Sequence, residues 1–198
     1  MHLDITRMPA RYSENAWRDN PRRYGHVSRT LHWAMALLLG WQFAGMVAKV
    51  TLGREAALTG LLSGAHMHVG LLLLVLAVVR VLWGLSQRPH RPPHTRGLWG
   101  VAAWLGHTAL YLLMLAVPAL AALRMWGNDR AFTWLGLLPL NDGTREKVDW
   151  MVAPANALHG VLGWVLLAAI AGHLLMVVVH HWVWKDDTAA RMAGSVRP

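Results

Sequence analysis

The tightest constraint on this chain lies between Leu158 and Trp184, LHGVLGWVLLAAIAGHLLMVVVHHWVW, a run of 27 residues with no charged side chain and no proline. A helix of that length rises about 40 Å at 1.5 Å per residue, enough to cross a hydrocarbon core of roughly 30 Å. Its departures from apolar character are histidines, and an ionisable side chain inside a span is costly and usually functional. His159 and His173 are 14 residues apart. On a helix that is about 21 Å along the axis with a net rotation of about −40°. Both imidazoles therefore share one face of one helix at two depths, and their partners must come from elsewhere in the chain.

Three more apolar runs precede this one. The first is Leu31 to Ala48, with a single interior Gln42, and the second is Ala65 to Leu85, interrupted by Arg80. The segment Ser86 to Gly97 follows, and its three prolines, three arginines and two histidines can neither continue a helix nor stay in lipid. The third run is Leu98 to Leu123, with Pro118 placed to kink it. Lys49 to Gly64 reads as a short polar link. In the long connection Arg124 to Asn156, AFTWLGLLPL is too short to span and reads as interfacial. The expectation is a single all-α membrane domain over 1–198, a four-helix bundle. Its spans are placed at about 29–48, 65–85, 104–123 and 157–184, with tails at 1–28 and 185–198.

Four spans put both termini on one side, and the basic residues choose it. The two tails and the connection after the second span, with Arg80, hold 13 Lys and Arg, and the other two connections hold 6. The positive-inside rule places both termini in the cytoplasm of a multi-pass protein of the inner membrane. The first 30 residues, rich in Arg and lacking an apolar core, read as a polar tail rather than a cleavable leader. Trp33, Trp83, Trp104, Trp126, Trp182 and Trp184 fall near span ends, where an aromatic belt belongs. The formal charge of +9 is loop charge that bounds the apolar runs. It forms no separate basic module, so nucleic acid is not an expected partner.

This orientation sorts the histidines by depth. His32 and His107 enter from the cytoplasm, and His66, His68 and His159 from outside. His173 returns toward the level of His32. Two pairs result, an outer pair of His66 with His159 and an inner pair of His32 with His173, each joining two helices. His68 is about 200° round the helix from His66. Of the two, His66 is favoured because its 14-residue spacing to Arg80 mirrors that from His159 to His173. His107 is the rival inner ligand. His180 and His181 read as interfacial, with a quinone or proton path as the other reading, and His26, His90 and His94 as solvated loop residues.

With no cysteine in the chain, thiolate metal sites and iron–sulfur clusters are excluded. Zinc wants a third or fourth ligand, and a proton relay wants carboxylates, all of which lie outside the apolar runs. Heme iron takes two axial imidazoles and suits an apolar surrounding. Ala36, Gly70 and Gly163 each lie four residues beyond a candidate ligand. Small residues there would let a flat macrocycle lie against the helix, and they would equally let helices pack closely. Arg29 and Arg80 lie near the inner pair, where they could hold heme propionates or snorkel to the interface.

The motifs RYGHVSRTLHW, HMHVGLLLLVLAVVRVLWGL, GHTALYLLMLAVP and HGVLGWVLLAAIAGHLLMVVVHHWVWKDDTAARM resemble the bacterial cytochrome b561 family of four-helix diheme proteins. The resemblance covers all four spans, residues 22–192. It implies two b-type hemes with axial ligands that fall on His32, His66, His159 and His173. It also implies electron exchange with membrane quinone, in its best-described form the oxidation of superoxide on the outer side with ubiquinone as acceptor. The tail before Tyr24 and the connection ahead of His159 are longer than the family pattern. The other function considered is a b-type subunit relaying electrons between quinone and a protein partner, such as a hydrogenase, a formate dehydrogenase or a periplasmic redox protein. No catalytic acid or base is assigned, because outer-sphere electron transfer needs none.

Overall fold

The computed structural model describes residues 15–92, 97–144 and 146–195. His94 and Arg145 lie outside the described residues. Four helices are long and apolar enough to cross a membrane, over His26–Thr51, Ala57–Ser86, Leu98–Trp126 and Asp149–Trp184. In more detail, α1 is His26–Thr51, α2 Ala57–Gly64, α3 His66–Ser86, α4 Leu98–Trp126 and α5 Asp149–Val178. The last of these runs into a π-helical segment at Val179–Trp184, and α6 follows at Thr188–Ala193.

Their surfaces are inverted relative to a water-soluble bundle. Leu37 is 75% and Leu112 63% exposed, whereas Arg80 is half-buried between helices. Such leucine faces fit lipid, in which every backbone polar group must be satisfied within its own helix. The centre is small: Met35, Leu73 and Ala77 are buried, with Leu38, Val69, Leu76, Met114 and Leu115 packed on them. The helices touch in series, α1 on α3, α3 on α4 and α4 most extensively on α5. Packing of α1 directly on α5 is slight. Between those two helices, His32 of α1 faces His173 of α5.

The two ends of the bundle differ. At one end the chain entering α1 is bound to both of the other segments there. Asp19, its carboxylate fully buried, accepts from the Gly25 backbone N–H at 2.9 Å and from Arg91 Nε at 3.0 Å. The Tyr24 N–H reaches the Arg191 carbonyl, and Trp83 Nε1 donates to Ser28 Oγ at 3.0 Å. The N-terminal segment, the 88–92 connection and α6 therefore share this tail end. The opposite end carries α2 and a β-hairpin of β1 Phe132–Trp134 and β2 Leu138–Asn141.

That hairpin is formed by the segment read as interfacial, and it joins two short strands to the expected helical bundle. The strands pair antiparallel with Trp134 opposite Leu138, and the turn puts Leu135 at φ 53 and Gly136 at φ 70. Two successive left-handed residues make the turn that suits a tight hairpin, and Gly136 adopts its conformation without steric cost. Buried Asn141 joins the hairpin to α4, donating through Nδ2 to the Met125 and Asn128 carbonyls at 2.7 and 2.9 Å. It thereby satisfies a carbonyl at the C-terminal end of α4 that has no partner within the helix.

The structure revises three other boundaries. The link read as short and polar over Lys49 to Gly64 contains α2, which Gly45 lets approach α1 closely, since a Cβ at Gly45 would stand 3.3 Å from the Leu62 backbone. Helix α5 begins at Asp149, several residues before the expected span, and α4 extends over Leu98–Trp126. The helix continues across Pro118, whose missing N–H leaves the Met114 carbonyl without its usual donor.

Candidate functional site

Two histidine pairs lie between helices at two levels. At the hairpin end, His66 opens α3 and faces His159 of α5, with ring centres 6.1 Å apart and planes at 80°. At the tail end, His32 of α1 faces His173 of α5, with centres 6.3 Å apart and planes at 74°. His107 of α4 also reaches His173, at 5.6 Å between centres. Helix α5 contributes to both levels, as the 14-residue repeat on its sequence requires.

The hydrogen bonds determine which ring nitrogens are free. His159 Nδ1 is 3.0 Å from the Val117 carbonyl. A carbonyl can only accept, so Nδ1 carries the proton and the Nε2 lone pair is left for another partner. His107 is arranged alike, with Nδ1 2.7 Å from the Ala103 carbonyl. A ligating histidine almost always spends its other nitrogen in this way. His68 is the opposite case. Its Nδ1 accepts the Leu135 backbone N–H at 3.1 Å, its carbonyl accepts Trp134 Nε1 at 3.0 Å, and its ring stacks on Phe132 at 5.1 Å. It binds the hairpin to α3 and faces away from the pair.

Gln42 and Arg80 are the polar side chains that accompany the pairs. Gln42 Nε2 donates to the His66 carbonyl at 2.9 Å, and its Oε1 is buried with no partner among the described residues. Arg80 donates from Nε to the Tyr111 hydroxyl at 3.3 Å, and its Nη1 is buried and unpartnered among the same residues. Arg29, expected beside the inner pair, instead turns to the end of α6. It donates from Nη2 to the Ala193 carbonyl at 3.2 Å and lies against Gly194. His180 is engaged with Asp186 at 2.8 Å and packs edge-on against Trp184. His26 and His90 are exposed. A Cβ at Gly163 would meet nothing within 4 Å, and one at Gly70 only Gln42 Nε2 at 3.4 Å.

Does this donor set fit heme? Among the described residues no group of three His, Cys, Asp or Glu side chains is disposed to hold a bare metal ion. What the fold supplies is imidazoles in twos. With a metal–imidazole bond of roughly 2 Å and roughly 1.1 Å from donor nitrogen to ring centre, two trans imidazoles have centres roughly 6.2 Å apart. The separations of 6.1 and 6.3 Å match. The unpartnered Arg80 N–H suits a carboxylate, and the open side of Gly163 leaves room for a flat ring. The residues fit the group.

Fold and site together define a helical membrane protein built to carry a redox group between its spans. A family model of prokaryotic cytochrome b561 matches residues 23–195. The chain belongs to that family and is a b-type membrane cytochrome of bacteria that binds heme and transfers electrons. It is 31% identical over 180 residues to cytochrome b561 homolog 2 of Escherichia coli K12, covering 89% of this chain and 94% of that one. It is 26% identical over 174 residues to homolog 1 of the same organism, covering 86% and 96%. A Yersinia pestis protein named as a probable superoxide oxidase, CybB, is 28% identical over 138 residues, covering 67% of this chain and 74% of that one.

Several supporting residues carry no signal of this role in the sequence. Tyr111 is one aromatic in an apolar run, and the Val117 carbonyl is backbone. Gln42 stands out as a lone amide among apolar residues, but nothing in the string points it at His66. Asp19 and Arg91 are 72 positions apart.

Proposed function

We propose that the chain holds two b-type hemes, an outer one between His66 and His159 and an inner one between His32 and His173, and passes single electrons from superoxide to membrane ubiquinone. The observation that carries this reading is the pair of ring separations, each close to that of two imidazoles trans on one metal. A heme held by either pair of imidazoles would supply one-electron transfer and leave no place for oxygen to bind.

The protein's own groups hold and orient. The Val117 carbonyl fixes the His159 tautomer and raises the basicity of the free nitrogen. Gln42 anchors the backbone of His66. Tyr111 holds one side of the Arg80 guanidinium, and the unpaired N–H would be available to a heme carboxylate. Gly70 and Gly163 leave the macrocycle its place against α3 and α5. His107, with centres at 5.6 Å from His173, stands closer than a trans pair, which favours His32 as the ligand.

The excess of basic residues at the tail end supports both termini being cytoplasmic, with the hairpin end outside. The single domain over 1–198 then presents Lys49 and Arg54 outward. Lys147 is tied to Asp149 at 2.7 Å, so local charge rather than net charge would draw in a small anion. The name of the Yersinia relative supports superoxide as donor. Each superoxide gives up one electron and becomes dioxygen. Two such electrons with two protons convert ubiquinone to ubiquinol.

The test supplies superoxide to purified, heme-loaded protein and follows the alpha band with and without ubiquinone. Fast reduction followed by quinone-dependent turnover is expected. Slow reduction that ubiquinone does not convert into turnover would refute the donor and favour a relay to a protein partner.

A further inference from the structure

At the tail end, on the side of α1 away from the inner histidine pair, lies a cavity of about 430 Å³ lined by His26, Arg29, Thr30, Trp33, Ala34, Leu37 and Ala193. The α1 residues follow a helical stripe, recurring at three or four positions. At 100° per residue, His32 lies about 130° round the helix from the centre of that stripe. The cavity is therefore separate from the inner histidine pair.

Its lining changes character along the helix. The end nearest the tail offers donors and positive charge. Arg29 uses one Nη on the Ala193 carbonyl, and its Nε is buried with no partner among the described residues. His26 and Thr30 stand beside it, and among the described residues no carboxylate lines the cavity. Seven residues further along, about 10 Å by the helical rise, the wall becomes Trp33, Ala34 and Leu37. Trp33 is 50% and Leu37 75% exposed on the lipid-facing surface. One stripe thus runs from a cationic, donor-rich head into an apolar track that opens to lipid, at the depth where a tryptophan marks the interface.

We propose that this cavity is a phospholipid site, with an anionic headgroup phosphate on Arg29, Thr30 and His26 and an acyl chain along Trp33 and Leu37. A guanidinium with an unused N–H matches phosphate oxygens, and the apolar track accounts for a lipid rather than a free anion. The bound lipid would also tie α6 to α1, because Arg29 already bridges them.

Native mass spectrometry of the heme-loaded protein, titrated with phosphatidylglycerol in detergent, tests this. One saturable lipid per chain is expected, displaced only weakly by millimolar inorganic phosphate and unaffected by a soluble ubiquinone analogue. Arg29→Gln should weaken retention at least tenfold. Ala34→Trp, which fills the track and leaves Arg29 in place, should do the same with heme content unchanged. Retention unaltered in both variants would overturn the proposal. So would inorganic phosphate binding as tightly as the lipid, or the quinone analogue displacing it one for one.

Discussion

Replacing Gly163 by leucine separates a heme cradle from ordinary helix packing. Gly163 follows His159 by four residues on α5, about 6 Å along the axis and about 40° round it. A Cβ there would meet no heavy atom within 4 Å, so the protein itself does not oppose a side chain. In a helix interior, glycine costs about 0.8 kcal/mol relative to a good helix former such as leucine. The heme-free variant should therefore be as stable as the parent or more so, by up to about 0.8 kcal/mol. If a macrocycle lies on that face beside His159, the isobutyl group occupies its place. Outer heme should fall at least tenfold while the inner heme, ligated about 15 Å further along α5, stays. The assay is heme per chain by pyridine hemochrome, with thermal melts of the heme-free protein. Two hemes per chain in a stabilised variant would refute the cradle. A destabilised heme-free variant would refute the open space assigned to this position.

Four further outcomes are expected. His159→Ala or His66→Ala removes the outer heme and spares the inner one; loss of the inner heme by redox titration would show the pairing to be wrong. His32→Ala removes the inner heme while His107→Ala keeps both, and the reverse result would make His107 the ligand. Asp19→Ala, which leaves Arg91 and the Gly25 N–H without their buried partner, should cost about 3 kcal/mol in chemical denaturation, and a cost near zero would contradict the clasp at the tail end. Asp186 is pushed up by slight burial, but hydrogen bonds from Thr188 and His180 outweigh this and hold its carboxyl below its usual 3.8. A depressed folded-state pKa stabilises above the unfolded value and is lost as pH falls through the folded one. Asp186→Asn should then lower the unfolding free energy slightly at pH 7, by about 0.5 kcal/mol at most because the pair is exposed. The gap should close below pH 3.8, and one that persists there would refute the linkage.

Four spans were legible because lipid leaves the sequence little freedom: a run such as Leu98 to Leu123 can satisfy its backbone only as a helix. The depth of each histidine followed from the helical rise, so His66 with His159 and His32 with His173 could be proposed before any coordinates. The connections lack that rule. Ala57 to Gly64 is itself apolar but follows Lys49, Arg54 and Glu55 in a connection, and Gly45 lets it lie on α1 as a helix. AFTWLGLLPL forms a hairpin whose anchors lie elsewhere in the sequence: His68 on α3, and the Met125 carbonyl on α4 that Asn141 reaches. Arg29 is a similar case. From the string its neighbour is His32, whereas in the fold the end of α6, 164 positions away, takes its guanidinium.

The two histidines that open α3 show what decides a ligand once spacing has done its part. His66 and His68 are equally near the membrane edge and equally able to bind iron in isolation. At His68 the Nδ1 lone pair already accepts a backbone N–H from the hairpin, so the proton sits on Nε2 and neither nitrogen remains to ligate. At His159 the Val117 carbonyl demands the opposite tautomer and leaves Nε2 free. A span can thus carry several imidazoles and commit only some of them to a redox group. On the pairing proposed above, the choice rests on which backbone donor or acceptor each ring meets. On α3 it is made by a three-residue strand and its turn, so the hairpin that the apolar pattern could not foresee also keeps His68 from competing with His66.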